Sequence, residues 1–280
     1  MGAPFPECHT KATQPFLGMD QECIGLGKSS EAHRAIQRMQ AVQPTGAAER
    51  IAPVPIAGTD LVVLDLLGGL CPERDRVRSC LAAALSYADL SAGDGDLSRL
   101  VMLPTRVALN EWVASQTRLA PEVVRPLVGA VLEDFRGRLL ESIKSGEPVR
   151  VNPGAGTLMA ELGMGGIQVA IDTELDGDIA MAFLRGAGWA GAGMLDAVVG
   201  ADEVLVPRPG PGQVEEARRR CGLGDGARVV KVAGSADDAR AGMLAGCVAV
   251  VSLIPDLAAG HAPLEDLGDL AERLLGHPLA

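Results

Sequence analysis

The chain has 280 residues, a net charge of −11 and a pI of about 4.9, a balance that argues against a nucleic-acid backbone or an anionic membrane as its main partner. Aromatic residues make up only 2% of it, so stacking on bases or sugar rings is poorly supplied. Mean hydropathy is +0.20, yet no apolar run reaches the roughly eighteen residues that span a bilayer, and a soluble chain with one large core, or a core plus a smaller domain, is expected.

Residues 1–58 are punctuated by Pro and Gly around one helical segment at 30–42 and read as an extension packed on something larger. The opening MGAPFPECHTK has no basic region followed by an apolar core, and Pro6 spoils the Met-Gly acylation pattern, so the expected location is cytoplasmic. The six cysteines, Cys8, Cys23, Cys71, Cys80, Cys221 and Cys247, are irregularly spaced with no CxxC and are expected to be reduced thiols. Cys8, His9, Cys23 and His33 match no common zinc spacing.

From residue 60 the pattern changes. Five short apolar, β-branched runs at 61–67, 167–173, 196–200, 228–233 and 247–254 fit strands covered on both faces. Helical patterns at 176–187, 212–221 and 237–245 separate the last four, which implies right-handed βαβ crossovers and a parallel sheet. The first interval holds helical periodicity at 75–88, 105–117, 121–145 and 154–162 with almost no strand signal. That is too long for a crossover. The expected fold is α/β, a Rossmann-like parallel core at 59–71 and 161–280, with an all-helical cap inserted at 72–160 over the carboxyl ends of the strands. Met159, Met164, Met181, Met194 and Met243 read as core fillers. The strings GAGWAG (186–191) and PGAG (153–156) match pieces of a dinucleotide fingerprint, but neither joins a strand to a helix, and they are discounted.

The first run, LVVLDLLGGL, ends its apolar stretch on Asp65 just before a glycine pair, and a carboxylate at the carboxyl end of a buried strand stands where open α/β sheets place their chemistry. Further on come IQVAIDT ending at Thr173, VPRPGP carrying Arg208, and VVKVAGSADDARAGMLAGC ending at Cys247. In that order and spacing the four segments resemble the motifs of the haloacid dehalogenase-like superfamily, and within it the phosphonoacetaldehyde hydrolase-like branch, from about residue 60 to the C-terminus.

The resemblance implies an Asp nucleophile that forms an aspartyl-phosphate, with Mg²⁺, a hydroxyl and a basic residue holding the phosphoryl oxygens. Carried over, Asp65 is the nucleophile and Thr173, Arg208, Lys231 and Ser235 contact the phosphoryl group. Asp65, the backbone carbonyl of Leu67, and Asp238 are the metal ligands, with Asp237 as a substitute acid. Ordinary alternatives stand beside these roles: a strand-end cap for Asp65, a solvated turn for Arg208, a solvent-facing side chain for Lys231, a helix cap for Thr173, and helix-dipole acids for Asp237 and Asp238.

Departures from the motifs are equally specific. Where the fourth motif normally reads Gly-Asp-Thr, this chain has Ala233, Gly234 and Ser235, so one metal-binding acid is missing. Gly69 and Leu70 replace polar residues after the nucleophile, and Leu67 replaces a small or acidic one. Thr105 stands where phosphonoacetaldehyde hydrolases carry a Schiff-base lysine. A weakened metal site lowers turnover by roughly 10²- to 10³-fold on ordinary transition-state arithmetic. The expected activity is therefore a divergent hydrolase acting through Asp65 on a small phosphorylated or phosphonate-type substrate, with weakened Mg²⁺ dependence. A catalytically inactive relative serving ligand binding or protein interaction, and recruitment to non-phosphoryl specialised-metabolite chemistry, are the alternatives. The expected partner is a small molecule, with no nucleic acid and no membrane, and a homodimer is the candidate assembly.

Overall fold

The structure is a computed structural model and describes residues 58–103, 105–117, 119–254 and 262–279. The helical segment at 30–42 and the Cys8, His9, Cys23 and His33 group lie outside them. In chain order the chain forms β1 (Leu61–Asp65), α1 (Arg74–Tyr87), α2 (Asp94–Leu100), α3 (Thr105–Gln116), α4 (Pro121–Ser145) and α5 (Ala155–Met164). There follow β2 (Gln168–Asp172), α6 (Gly177–Gly186), β3 (Ala197–Val199), α7 (Gly212–Arg220) and β4 (Val229–Ala233). The last elements are α8 (Ala236–Leu244), β5 (Ala249–Ser252), β6 (Ala262–Pro263) and α9 (Leu267–Leu275).

The strands lie in the order β3-β2-β1-β4-β5-β6, every neighbouring pair parallel. This is the expected α/β, Rossmann-like sheet. Three further elements, α2, β6 and α9, are not among those the apolar pattern predicts. The first strand also stops earlier than the apolar run. Leu66–Leu70 wind into one π-helical turn, closed by Cys71 N donating to Leu66 O at 2.8 Å, so the expected strand at 61–67 ends at Asp65.

Strand pleating sorts the side chains. Leu61 and Val63 join Ala170, Val199 and Val229 in a small cluster under Val214 and Ala217 of α7. Val62, Leu64, Val169, Ile171, Val230 and Val232 face the other way, into a larger cluster with α5 and α9. With a period of two, Asp65 falls on the α7 side, opposite Asp172 in register, and Lys231 on the same side beside Val63. Because β1 has β2 on one flank and β4 on the other, its carboxyl end opens at the topological switch point of the sheet.

Helices α1 to α5 all lie between β1 and β2 in the chain. The longest, α4, presents Val124, Val128, Val131, Phe135 and Leu139 as one buried stripe at helical spacing, packed against α1, α3 and α6. The boundary read at residue 160 falls inside α5, which packs on β2 and α9. Of the five methionines expected in the core, Met159 is buried and Met181 and Met194 pack against the core cluster, whereas Met164 is 81% and Met243 41% exposed. Both exposed residues stand in the last turn of their helices. GAGWAG and PGAG meet each other: Trp189 is buried with its indole against Gly156, a packing contact and not a nucleotide turn.

The two chain crossings between the sheet and the helical stretch are tied together. Asn152 N donates to Leu70 O at 2.8 Å, and Asn152 Nδ2 to Gly69 O at 2.9 Å. Glu73, fully buried, accepts from Arg76 Nε at 2.9 Å and from Arg150 N at 2.6 Å. Arg76 in turn donates to the carbonyls of Ser142 and Glu147, and Arg150 Nη2 to Pro72 O. Removing one partner of such a buried ionic tie strands the rest, so Glu73→Ala is expected to lower unfolding stability by about 3 kcal/mol. Measured alongside it by urea unfolding, exposed Met164→Ala should stay within about 0.5 kcal/mol of the wild type. A Glu73→Ala loss below about 1 kcal/mol would show that the crossings are held by something else.

Candidate active site

The site is built from strand ends. Asp65 closes β1, Asp172 closes β2, and Gly234 and Ser235 follow β4 directly. Arg208 comes in from the Pro-rich turn after β3, its position set by Gln213 on the first turn of α7. Gln213 Oε1 accepts from Arg208 N at 3.2 Å, while its Nε2 donates to Thr173 O at 2.6 Å and Val199 O at 3.3 Å.

The Arg208 guanidinium sits among four carboxylates. Nη1 donates to Asp65 Oδ1 at 2.7 Å and Glu174 Oε2 at 3.2 Å, and Nη2 to Asp172 Oδ1 at 2.7 Å. Nε pairs with Asp238 Oδ1 at 3.0 Å. Lys231 Nζ adds ion pairs to Asp172 Oδ1 at 2.6 Å and Asp238 Oδ1 at 2.9 Å. Arg74, more exposed, reaches Asp65 Oδ2 at 3.5 Å. Asp65, Asp172, Lys231 and Asp238 have no exposed surface and Arg208 only 2%. Arg208 is therefore no solvated turn residue, and Lys231 does not point to solvent.

Burial and charge set the protonation. Burial pushes the Asp65 carboxyl up, but Arg208, Arg74 and Lys231 outweigh it and hold the pKa below its ordinary value. Burial dominates at Asp238: despite Arg208 and Lys231, its pKa rises to about 7, helped by Asp172 and Asp65. Glu174 is also raised, by burial and by the Asp65 charge. For Arg208 and Lys231 burial acts downward, and the surrounding carboxylates reverse it and raise both. Four carboxylates face three cations here. One proton held on the Asp238 or Glu174 side balances the cluster.

The remaining expected site residues are close by. Thr173 is buried; its hydroxyl donates to Glu174 Oε2 and accepts from Leu175 N, both at 3.3 Å, a local turn and not a helix cap. Ser235 Oγ caps α8 by accepting from Asp238 N at 3.1 Å, and Asp238 Oδ2 accepts from Gly234 N at 2.9 Å. Asp238 is thus turned into the cluster, beyond a helix-dipole role. Leu67 has its side chain in the large apolar cluster. The motif order does not single out Asp172, Glu174, Arg74 or Gln213. Asp172 carries the same signal as Asp65, an acid ending an apolar strand, and that signal is sufficient to find it.

Gly234 decides the shape. A β-carbon there would lie 1.8 Å from Asp65 Oδ2 and 3.0 Å from Arg74 Nη2. The room a side chain at 234 would need is thus filled by the Asp65 carboxylate itself, with Arg74 behind it. Asp65, Asp172 and Asp238 place one oxygen each within 4.8 Å of one another, and hard oxygens of this kind suit Mg²⁺. The Oδ1 atoms of all three, however, are paired with Arg208, and two of them also with Lys231. A divalent ion among those oxygens would lie against a guanidinium and an ammonium, so the residues as arranged do not fit Mg²⁺. Among the described residues four cysteines are free, and burial pushes the thiols of Cys71 and Cys247 up to about 12.

No family model matches the chain, and no curated protein sequence does. Among solved structures it is similar to a protein of Haemophilus somnus described as a predicted phosphoglycolate phosphatase, with TM-score 0.62 and 17% identity over 77% of this chain and 97% of that one. It is similar also to CbbY of Rhodobacter sphaeroides in complex with phosphate, at TM-score 0.61 and 19% identity over 78% and 98%. A phosphonoacetaldehyde hydrolase-like protein of Oleispira antarctica matches at TM-score 0.57 and 14% identity over 74% and 76%. At these identities the likeness is one of fold.

Gly234→Ala must push Asp65 aside, and overpacking of that kind is expected to cost about 1–3 kcal/mol in urea unfolding. The control is Gly129→Ala inside α4, where a β-carbon meets nothing within 4 Å. That change should gain about 0.5–1 kcal/mol. Equal effects at the two positions would contradict the packing described at Asp65.

Proposed function

We propose that the chain is a divergent haloacid dehalogenase-like hydrolase in which Asp65 attacks a small phosphorylated or phosphonate-type substrate beneath a cap formed by the helices inserted after β1. The observation that carries the reading is a buried carboxylate, held ionised by Arg208 at the sheet's switch point, in a fold shared with a protein described as a predicted phosphoglycolate phosphatase. The Asp65 oxygen would form a bond to phosphorus while the leaving group departs with the bonding electrons. Water would then cleave the resulting acyl phosphate.

In this reading Arg208 and Lys231 supply the positive charge that meets the phosphoryl oxygens, and the hydroxyls of Thr173 and Ser235 exchange their present local bonds for the ligand. Asp238, with a pKa of about 7, is placed to hold or release a proton beside them. Mg²⁺ has a weakened part at most. Thr105 begins α3 and cannot form a Schiff base, which disfavours phosphonoacetaldehyde itself as substrate. The proposed partner is a small molecule, and the proposed setting is the cytoplasm, with a homodimer as the candidate assembly.

A second reading has its own observation. Asp65, Asp172, Lys231 and Asp238 have no exposed surface, and their charges are already paired with one another and with Arg208, as suits a chain that keeps the fold for binding or protein interaction and not for turnover. A phosphate-release screen over small phosphomonoesters and phosphonates separates the two. The enzyme reading expects turnover by the wild type and a loss of roughly 10³-fold or more with Asp65→Asn. Turnover that survives the substitution, or none with any substrate, favours the second.

A further inference from the structure

We infer that Arg208 and Lys231 are the permanent counter-ions of this carboxylate cluster and stand in place of a divalent cation, so that the folded chain binds neither Mg²⁺ nor Mn²⁺ there. The inference concerns what neutralises the cluster. It holds or fails whether or not Asp65 turns over a substrate.

The first ground is occupancy. Asp65, Asp172 and Asp238 are the acids close enough to share a divalent ion, and the guanidinium of Arg208 holds the Oδ1 atom of each, so an ion shared by the three would lie against that cation. Its three nitrogens point in fixed directions in one plane, a fork that suits several carboxylates at once, whereas Mg²⁺ requires an octahedron of oxygens.

The second ground is that both cations are built into the fold. Gln213 fixes the Arg208 backbone to the carboxyl ends of β2 and β3. Lys231 is accommodated by Gly242 on α8, where a β-carbon would lie 2.8 Å from Lys231 Cγ and 2.9 Å from its Cβ. The lysine stem therefore passes where a larger residue at 242 would stand, and its ammonium lands between Asp172 and Asp238.

The third ground is space. A β-carbon at Gly234 would lie 1.8 Å from Asp65 Oδ2, so that carboxylate is packed against the backbone after β4. A divalent ion would have to displace a buried guanidinium from the acids it holds. An uncompensated buried Arg208 opposes that exchange.

Titration of the intact wild-type chain is the direct test. Mn²⁺ binding followed by electron paramagnetic resonance, and melting in Mg²⁺ or EDTA, should show no saturable site and a Tm shift below about 1 °C at roughly 10 mM Mg²⁺. A saturable Mn²⁺ site with a dissociation constant below about 1 mM that Asp65→Asn weakens tenfold would overturn the inference. Arg208→Gln frees the oxygens, and the folded variant should acquire a saturable Mg²⁺-dependent rise in Tm that the wild type lacks. A folded Arg208→Gln with no such rise counts against it. If that variant fails to fold, the wild-type titration still separates the two outcomes. Loss of phosphate-release activity with Asp65→Asn tests the catalytic reading alone and leaves this result unaffected.

Discussion

One buried guanidinium organises the functional end of this molecule. Arg208 reaches acids from β1, β2, the residue beyond Thr173 and the first turn of α8. Burying four carboxylates is prohibitively costly without such a partner, and an Arg fork can serve several at once where a lysine serves as a point charge. Lys231 takes that second role, bridging the two acids on either side of it. The carboxyl ends of β1, β2 and β4 are thus fastened by charge as well as by their ladder.

The same arrangement sets the chemistry. A lowered pKa keeps Asp65 ionised inside the protein, while the raised pKa of Asp238 leaves a proton within the same group of charges. Environments that push neighbouring acids in opposite directions suit the proposed division between attack at Asp65 and proton transfer at Asp238. Around this, the helices between β1 and β2 are joined to the sheet by two crossings that Glu73, Arg76, Arg150 and Asn152 bind to each other. The two crossings are thereby bonded to each other where helices and sheet meet.

Much of the fold is legible in the apolar runs, because strands buried on both faces leave continuous Val, Ile and Leu segments, and helices between them leave a 3.6 period. Short elements such as β6, with two residues, leave no such trace. Asp65, Arg208 and Asp238 are accessible from motif order, and the structure brings them together. Pairing is what the chain alone hides. Asp172 and Glu174 flank the expected Thr173, but only strand register sets Asp172 opposite Asp65, and only the turn after β3 carries Arg208 back to both. Gly234 reads in the sequence as a deletion of function, yet its missing side chain is what lets the Asp65 carboxylate occupy that space.

The most direct test of this account is a double-mutant cycle between Arg208→Met and Asp172→Asn, read as unfolding free energy in urea. The account predicts that Arg208→Met alone costs about 3–5 kcal/mol, because it strands buried carboxylates. Removing the Asp172 charge as well should return part of that loss, with a coupling of at least about 1 kcal/mol. Effects that simply add, within about 0.5 kcal/mol, would contradict the claim that Arg208 holds the cluster together.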